Sequence, residues 1–85
     1  MTSETHKVEL LVRDMRRRLW PLLSGQPPEV QGAALADLLA TWLAGHVVEG
    51  DAAATSTLRE EMLAEHMHIV RQLIPINSRA IHGRE

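Results

Sequence analysis

The sequence contains no cysteine, tyrosine or phenylalanine, and two tryptophans are its only aromatic residues. Without cysteine there can be no disulfide scaffold, no thiolate zinc site and no cysteine nucleophile. Because aromatic residues make up only 2% of the chain, any core must be built from Leu, Val, Ile, Met and Ala. Those side chains interlock well between helices.

A strongly basic charge balance and a long apolar run are also missing. Nine basic residues stand against eleven acidic ones, so we do not expect a nucleic-acid partner. The longest apolar stretch, residues 33–48, is interrupted by Asp37, Thr41 and His46 and is shorter than a membrane span of roughly 20 residues. The first residues show no secretion-signal pattern. We therefore expect a soluble cytoplasmic protein without a membrane partner.

The apolar residues that are present recur with helical spacing. They make up 45% of the 85 residues, which is typical of one small globular domain and not of a disordered chain. No segment alternates with the period of a strand. Turn-forming residues at 24–28 and 49–51 divide the chain into three helices, at about 5–23, 28–48 and 57–74. The pattern predicts an all-α, three-helix antiparallel bundle over residues 1–76, followed by a polar tail over 77–85.

The start and the end of the third helix depend on local signals. Asp51 could cap an Ala-rich first turn, but Thr57 begins a Thr-x-x-Glu capping box, and we favour a start near Thr57. Ile74 precedes Pro75, and a residue before proline avoids the helical region. The sequence therefore predicts that this helix ends at Ile74.

The helices carry more apolar surface than one bundle of this size can hide. We expect a homodimer to bury the surplus symmetrically, although a different protein partner could use the same surface, and a monomer with some exposed apolar residues is the simplest alternative. The residues that we predict at the interface are Leu10, Trp20, Trp42, Leu63, Met67 and Ile74.

Polar residues on apolar faces are the candidates for a ligand site. His46 and His66 fall within the large faces of the second and third helices, and Asp37 lies on a small-residue face of the second. Buried polar groups are normally hydrogen-bonded, so a structural role is the first interpretation. A ligand held by Asp37, His46 and His66 between helices or at a dimer interface is the alternative.

One pair of residues has metal-ligand spacing. Glu65 and His68 form a Glu-x-x-His pair on one helix turn, and carboxylate metal sites in helical bundles use two such pairs with two further Glu. This chain supplies one pair, on the polar side of the helix, so we predict no metal site and no cofactor. Glycine-rich phosphate loops, serine-nucleophile motifs and His-Glu-x-x-His are also missing from the sequence.

These features favour a small helical interaction or regulatory module without enzymatic activity of its own. A protein that binds a small apolar or anionic ligand is the alternative, and a metal-binding helical protein is a more distant one. The basic first helix, which carries Arg13 and 16–18, is interleaved with acidic residues and is set against an acidic third helix. Ion pairing between helices explains that charge pattern better than nucleic-acid binding does.

Overall fold

The computed structural model describes residues 3–83, and over this range the chain is helical with no strand. The helices are α1 (Ser3–Ser24), α2 (Pro28–Ala44) and α3 (Ala52–His82). The predicted all-α class with three helices is thereby confirmed, whereas the antiparallel three-helix bundle and the homodimer stay predictions. The contacts divide the chain into two units, one up to Asp37 and one from Leu38 onward.

The first unit contains α1 and the first turns of α2. Side-chain and backbone hydrogen bonds hold the turn between them: Gln26 N donates to the Leu23 carbonyl at 2.9 Å, and the Gln31 side-chain amide donates to the same oxygen at 2.8 Å. The Leu23 carbonyl is one of the acceptors that the end of a helix leaves without a partner. Pro28 occupies the first helical position of α2, where its missing N–H costs no hydrogen bond.

The second unit is a helical hairpin. Its contacts join the end of α2 and the following loop to α3 in reverse chain order: Val48 to Thr55, Ala44 to Arg59, and Trp42 to His66. The C-terminal part of α2 and the N-terminal part of α3 are therefore antiparallel. The second helix ends at Ala44 and not at about residue 48 as predicted, since residues 45–51 form the hairpin loop.

The prediction that α3 begins near Thr57 was wrong, because the helix begins at Ala52. Asp51 is its N-cap: its backbone is extended, and its carboxylate accepts a hydrogen bond from Ala54 N at 2.9 Å. Ala has the highest intrinsic helix propensity, so the three alanines that follow the cap favour immediate continuation of the helix. The capping box at Thr57 consequently lies inside α3.

The predicted end at Ile74 and the predicted polar tail at 77–85 were also wrong, because α3 continues through Pro75 to His82. A proline inside a helix removes one hydrogen bond and costs about 3 kcal/mol, but it does not have to end the helix. The helix ends at Gly83, whose left-handed backbone, with φ of 73°, lets its N–H bond to the Arg79 carbonyl. Residues 84 and 85 of that tail, and residues 1 and 2 of the predicted domain, lie outside the described residues.

Residues 3–83 contain no buried large apolar side chain. The most buried residue among them is Thr55, at 9% exposure. Half-buried apolar residues line the facing sides of the hairpin in the second unit: Leu39 and Leu43 on α2, and Leu58, Met62, Leu63, Met67 and Val70 on α3. The packed part of this unit is thus the interface between two helices.

Candidate functional site

Two of the three predicted ligand residues contact the same tryptophan. The Trp42 ring lies 5.5 Å from the His46 ring in an edge-to-face arrangement and 5.4 Å from the His66 ring in a tilted one. Both separations are within the range of favourable aromatic contacts. His46 and His66 are half-buried, and Trp42 is 46% exposed. The structure therefore brings the two histidines to one indole surface, which partly faces solvent.

A hydrogen bond fixes the tautomer of His46. Its Nδ1 lies 2.8 Å from the backbone carbonyl oxygen of Trp42. A carbonyl oxygen only accepts, so Nδ1 must carry the proton and donate it. The Nδ1–H bond and the ring contact together hold the imidazole against the end of α2. This arrangement agrees with the structural interpretation of His46, in which a partly buried imidazole bonds to a backbone carbonyl.

Arg59 connects α3 to the end of α2. Its Nη2 donates to the Ala44 carbonyl at 2.8 Å, and its Nε donates to the His46 carbonyl at 3.1 Å. The guanidinium thus satisfies two carbonyls at a helix end, where backbone acceptors have no partner within the helix. The planar donor group of Arg suits such a double contact, which a lysine ammonium reproduces poorly.

Thr55 has a corresponding role at the other end of the hairpin loop. Its hydroxyl accepts from Val48 N at 2.9 Å and shares its single proton between the carbonyls of Asp51, at 2.9 Å, and Val48, at 3.2 Å. One buried hydroxyl therefore ties the loop to the first turn of α3. Sequence analysis assigned no role to Thr55 or Arg59, although an arginine in the Arg59–Leu63–His66 row is a signal for a partnered guanidinium.

A shallow concavity lies beside this loop, lined by the loop itself and by the first turns of α3. Its polar groups already serve the fold. The Asp51 carboxylate caps the positive end of α3, and the Arg59 guanidinium bonds to two carbonyls. A negative charge at the helix N-terminus opposes the binding of an anion there. The concavity therefore does not favour the anionic-ligand interpretation.

The remaining predicted ligand residue, Asp37, is exposed on α2 and belongs to the first unit, whereas His46 and His66 belong to the second. The structure therefore does not show the three residues as one site. The metal candidates Glu65 and His68 are both exposed on α3. Within residues 3–83, no group of three or more His, Asp or Glu is placed to hold a metal ion.

The predicted interface residues fall into two groups. Leu63 and Met67 are half-buried on the hairpin side of α3. The other four are exposed, with values of 49% for Leu10, 56% for Trp20, 46% for Trp42 and 61% for Ile74. The exposed members are available to a partner, whereas the half-buried pair already contributes to the packing of the second unit.

An apolar row runs along α1, within the apolar stripe whose helical spacing predicts this helix. Val8, Val12, Met15, Leu19 and Leu22 follow one another at steps of four, three, four and three residues. This spacing is the heptad pattern of a coiled coil. Residues that follow it stay on nearly the same side of the helix. All five side chains are exposed, from 45% for Leu19 to 70% for Leu22. We call these five residues the α1 seam.

Comparisons with known proteins found no matching family model, no matching curated protein and no matching solved structure. None of the helices within residues 3–83 is both long and apolar enough to span a bilayer.

Proposed function

We propose that this protein is a helical interaction module, without enzymatic activity of its own, that works by packing apolar helix surface against another protein chain. The observation that carries the proposal is the exposure of the α1 seam. A helix with an ordered apolar row gains most of its stability from packing that row, because isolated helices are marginal in water. The seam therefore requires a partner surface.

The polar residues of the second unit support the same interpretation. His46, Thr55 and Arg59 direct their hydrogen bonds to backbone groups of the loop and the helix ends. Such bonds fix the geometry of a hairpin, and they use the donor groups that a ligand or a reaction would otherwise need. The second unit is therefore suited to be a rigid element of an assembly, which we place in the cytoplasm and expect to contain two copies of the chain.

Native mass spectrometry of the purified chain tests this proposal. We expect the mass of the chain together with a second polypeptide, either its own copy or another protein, and no bound small molecule. A single chain that retains a small ligand would instead support the ligand-binding alternative, and a retained metal ion would support the metal-binding one. A single chain with nothing bound at any accessible concentration would contradict the proposal.

A further inference from the structure

We infer that the α1 seam docks on the α1 seam of a second copy of this chain, with the two helices antiparallel. This inference rests on the proposed function and names the partner of its apolar surface. A strict four-three repeat of apolar residues is the pattern that lets two helices keep one seam in contact along their length. The 22 residues of α1 span about 33 Å, which is enough for several layers of contact.

The spacing of the seam and the charges beside it together select one antiparallel register. When Val12 of one helix is set beside Met15 of the second copy, Val8 comes to lie beside Leu19. In this register every seam residue from Val8 to Leu19 meets an apolar seam residue, and Leu22 lies opposite Thr5 of the second copy. A shift by one heptad in one direction leaves only Val8 and Val12 paired, whereas the opposite shift pairs Val12 with Leu22 and Met15 with Leu19 but brings the two Arg16 side chains together, so the charges beside the seam decide between these registers.

The charges beside the seam favour the antiparallel direction. Glu9 and Arg16 both flank the same side of the seam, seven residues apart. In the antiparallel pair, this side of one helix faces the same side of the other, so Glu9 of each copy lies near Arg16 of the second copy. Two opposite-charge contacts result. In a parallel pair, Glu9 would instead lie near Glu4 of the second copy, which places like charges together.

Arg18 flanks the other side of the seam and is already paired within its own helix, so it does not compete for this contact. Asp14 and Arg18 form an ion pair within the helix at 3.0 Å. Arg17 lies about 180° from the centre of the seam, because each residue turns the helix by about 100°. Arg17 therefore offers a matched control, since reversing its charge alters the net charge of the chain as reversing Arg16 does but leaves the seam untouched.

Sedimentation equilibrium of charge-reversal variants of the full chain tests the inference. Reversing Glu9 or Arg16 singly, as Glu9→Arg or Arg16→Glu, replaces two attractive contacts by two repulsive ones, and we expect the dimer Kd to rise about tenfold. The double variant carrying both changes restores the opposite charges across the interface, so its Kd should return to within about twofold of the original. Arg17→Glu should leave the Kd within the same range. Circular dichroism confirms that each variant keeps its helix content.

The double variant is decisive because Glu9 and Arg16 are too far apart to form an ion pair within one helix. Side chains of a single helix pair at separations of three and four residues, and these two lie seven apart. Failure of the double variant to recover would overturn the antiparallel arrangement. Tighter association of Glu9→Arg alone would overturn it in favour of parallel helices.

The test also separates this inference from the proposed function. A chain that stays monomeric at millimolar concentration, yet forms a complex with a different polypeptide in native mass spectrometry, would overturn self-docking and leave the interaction module standing. A monomer that carries only a small ligand would overturn both. A dimer whose Kd is indifferent to all three single variants would place the contact on another face, and would overturn the inference alone.

Discussion

Thr55 shows how one hydroxyl can stabilise a loop in a chain with little buried apolar surface. It bonds to the backbone on both sides of the hairpin loop, to Val48 and to Asp51. These bonds lie within the packed part of the second unit, where water cannot easily replace them. A buried backbone donor that loses its partner costs more than the net value of the hydrogen bond itself.

Replacing Thr55 by valine therefore removes the hydroxyl while keeping the branched shape of the side chain. We expect Thr55→Val to lower the free energy of unfolding by about 1–3 kcal/mol, because the Val48 N–H is left without an acceptor. The measurement is urea-induced unfolding followed by circular dichroism. Thr57→Val is the matched control, since Thr57 is exposed on the same helix. Equal losses for the two variants would contradict the role assigned to Thr55.

The histidines were better predicted from the sequence than the residues that hold the loop. The apolar neighbours of His46 and His66 indicated that both imidazoles pack among apolar side chains, and the structure places both against Trp42. Thr55 was not recognised, because a threonine near an Ala-rich turn has several local hydrogen-bond options of similar energy. The choice among them depends on the position of Val48, which is set by the hairpin and not by the neighbours of Thr55 in sequence.

At the scale of the helix, two capping signals are alternative starting points for α3. Asp51 accepts a hydrogen bond from Ala54 N, whereas Thr57 lies inside the helix. We expect Asp51→Ala to lower the free energy of unfolding by about 0.5–2 kcal/mol, because a helix N–H loses its acceptor. Thr57→Ala should leave it unchanged or raise it slightly, since alanine has the higher helix propensity.

The same unfolding measurement on both variants decides between the two starts. A larger loss for Thr57→Ala than for Asp51→Ala would show that the helix begins at the capping box. Comparison with Asp51→Asn provides a further control, because asparagine is an equally good N-cap without the negative charge. Recovery of most of the stability by Asp51→Asn would confirm that the cap, and not an ion pair, is the source of the effect.

The boundaries of the helices were the least predictable part of the fold. Apolar spacing identifies three helices, because each has enough turns for the repeat to be read. The ends depend on single terms of about 1–3 kcal/mol, such as a cap at Asp51 or a proline at position 75. The cost of Pro75 did not end α3, and the helix instead continued to a left-handed glycine at position 83.

At the scale of the whole molecule, the surplus of apolar residues inferred from the sequence takes a specific form. Among the residues predicted at the interface, only Leu10 and Trp20 lie on α1. The structure shows that the α1 seam, from Val8 to Leu22, is exposed as well. The four-three spacing of this row is readable in the sequence, whereas the exposure of its members is a finding of the structure.

The absence of cysteine from the sequence makes the central claim directly testable by disulfide trapping. Val8→Cys and Leu19→Cys chains are mixed and equilibrated in a redox buffer, and the disulfide-linked products are identified by mass spectrometry. Leu10→Cys, on another face of α1, serves as the control. Antiparallel seams place Val8 of one chain beside Leu19 of the other, so the mixed product, which joins one Val8→Cys chain to one Leu19→Cys chain, should dominate. Dominance of the product that joins two Val8→Cys chains, or no excess of any product over the Leu10→Cys control, would contradict the account.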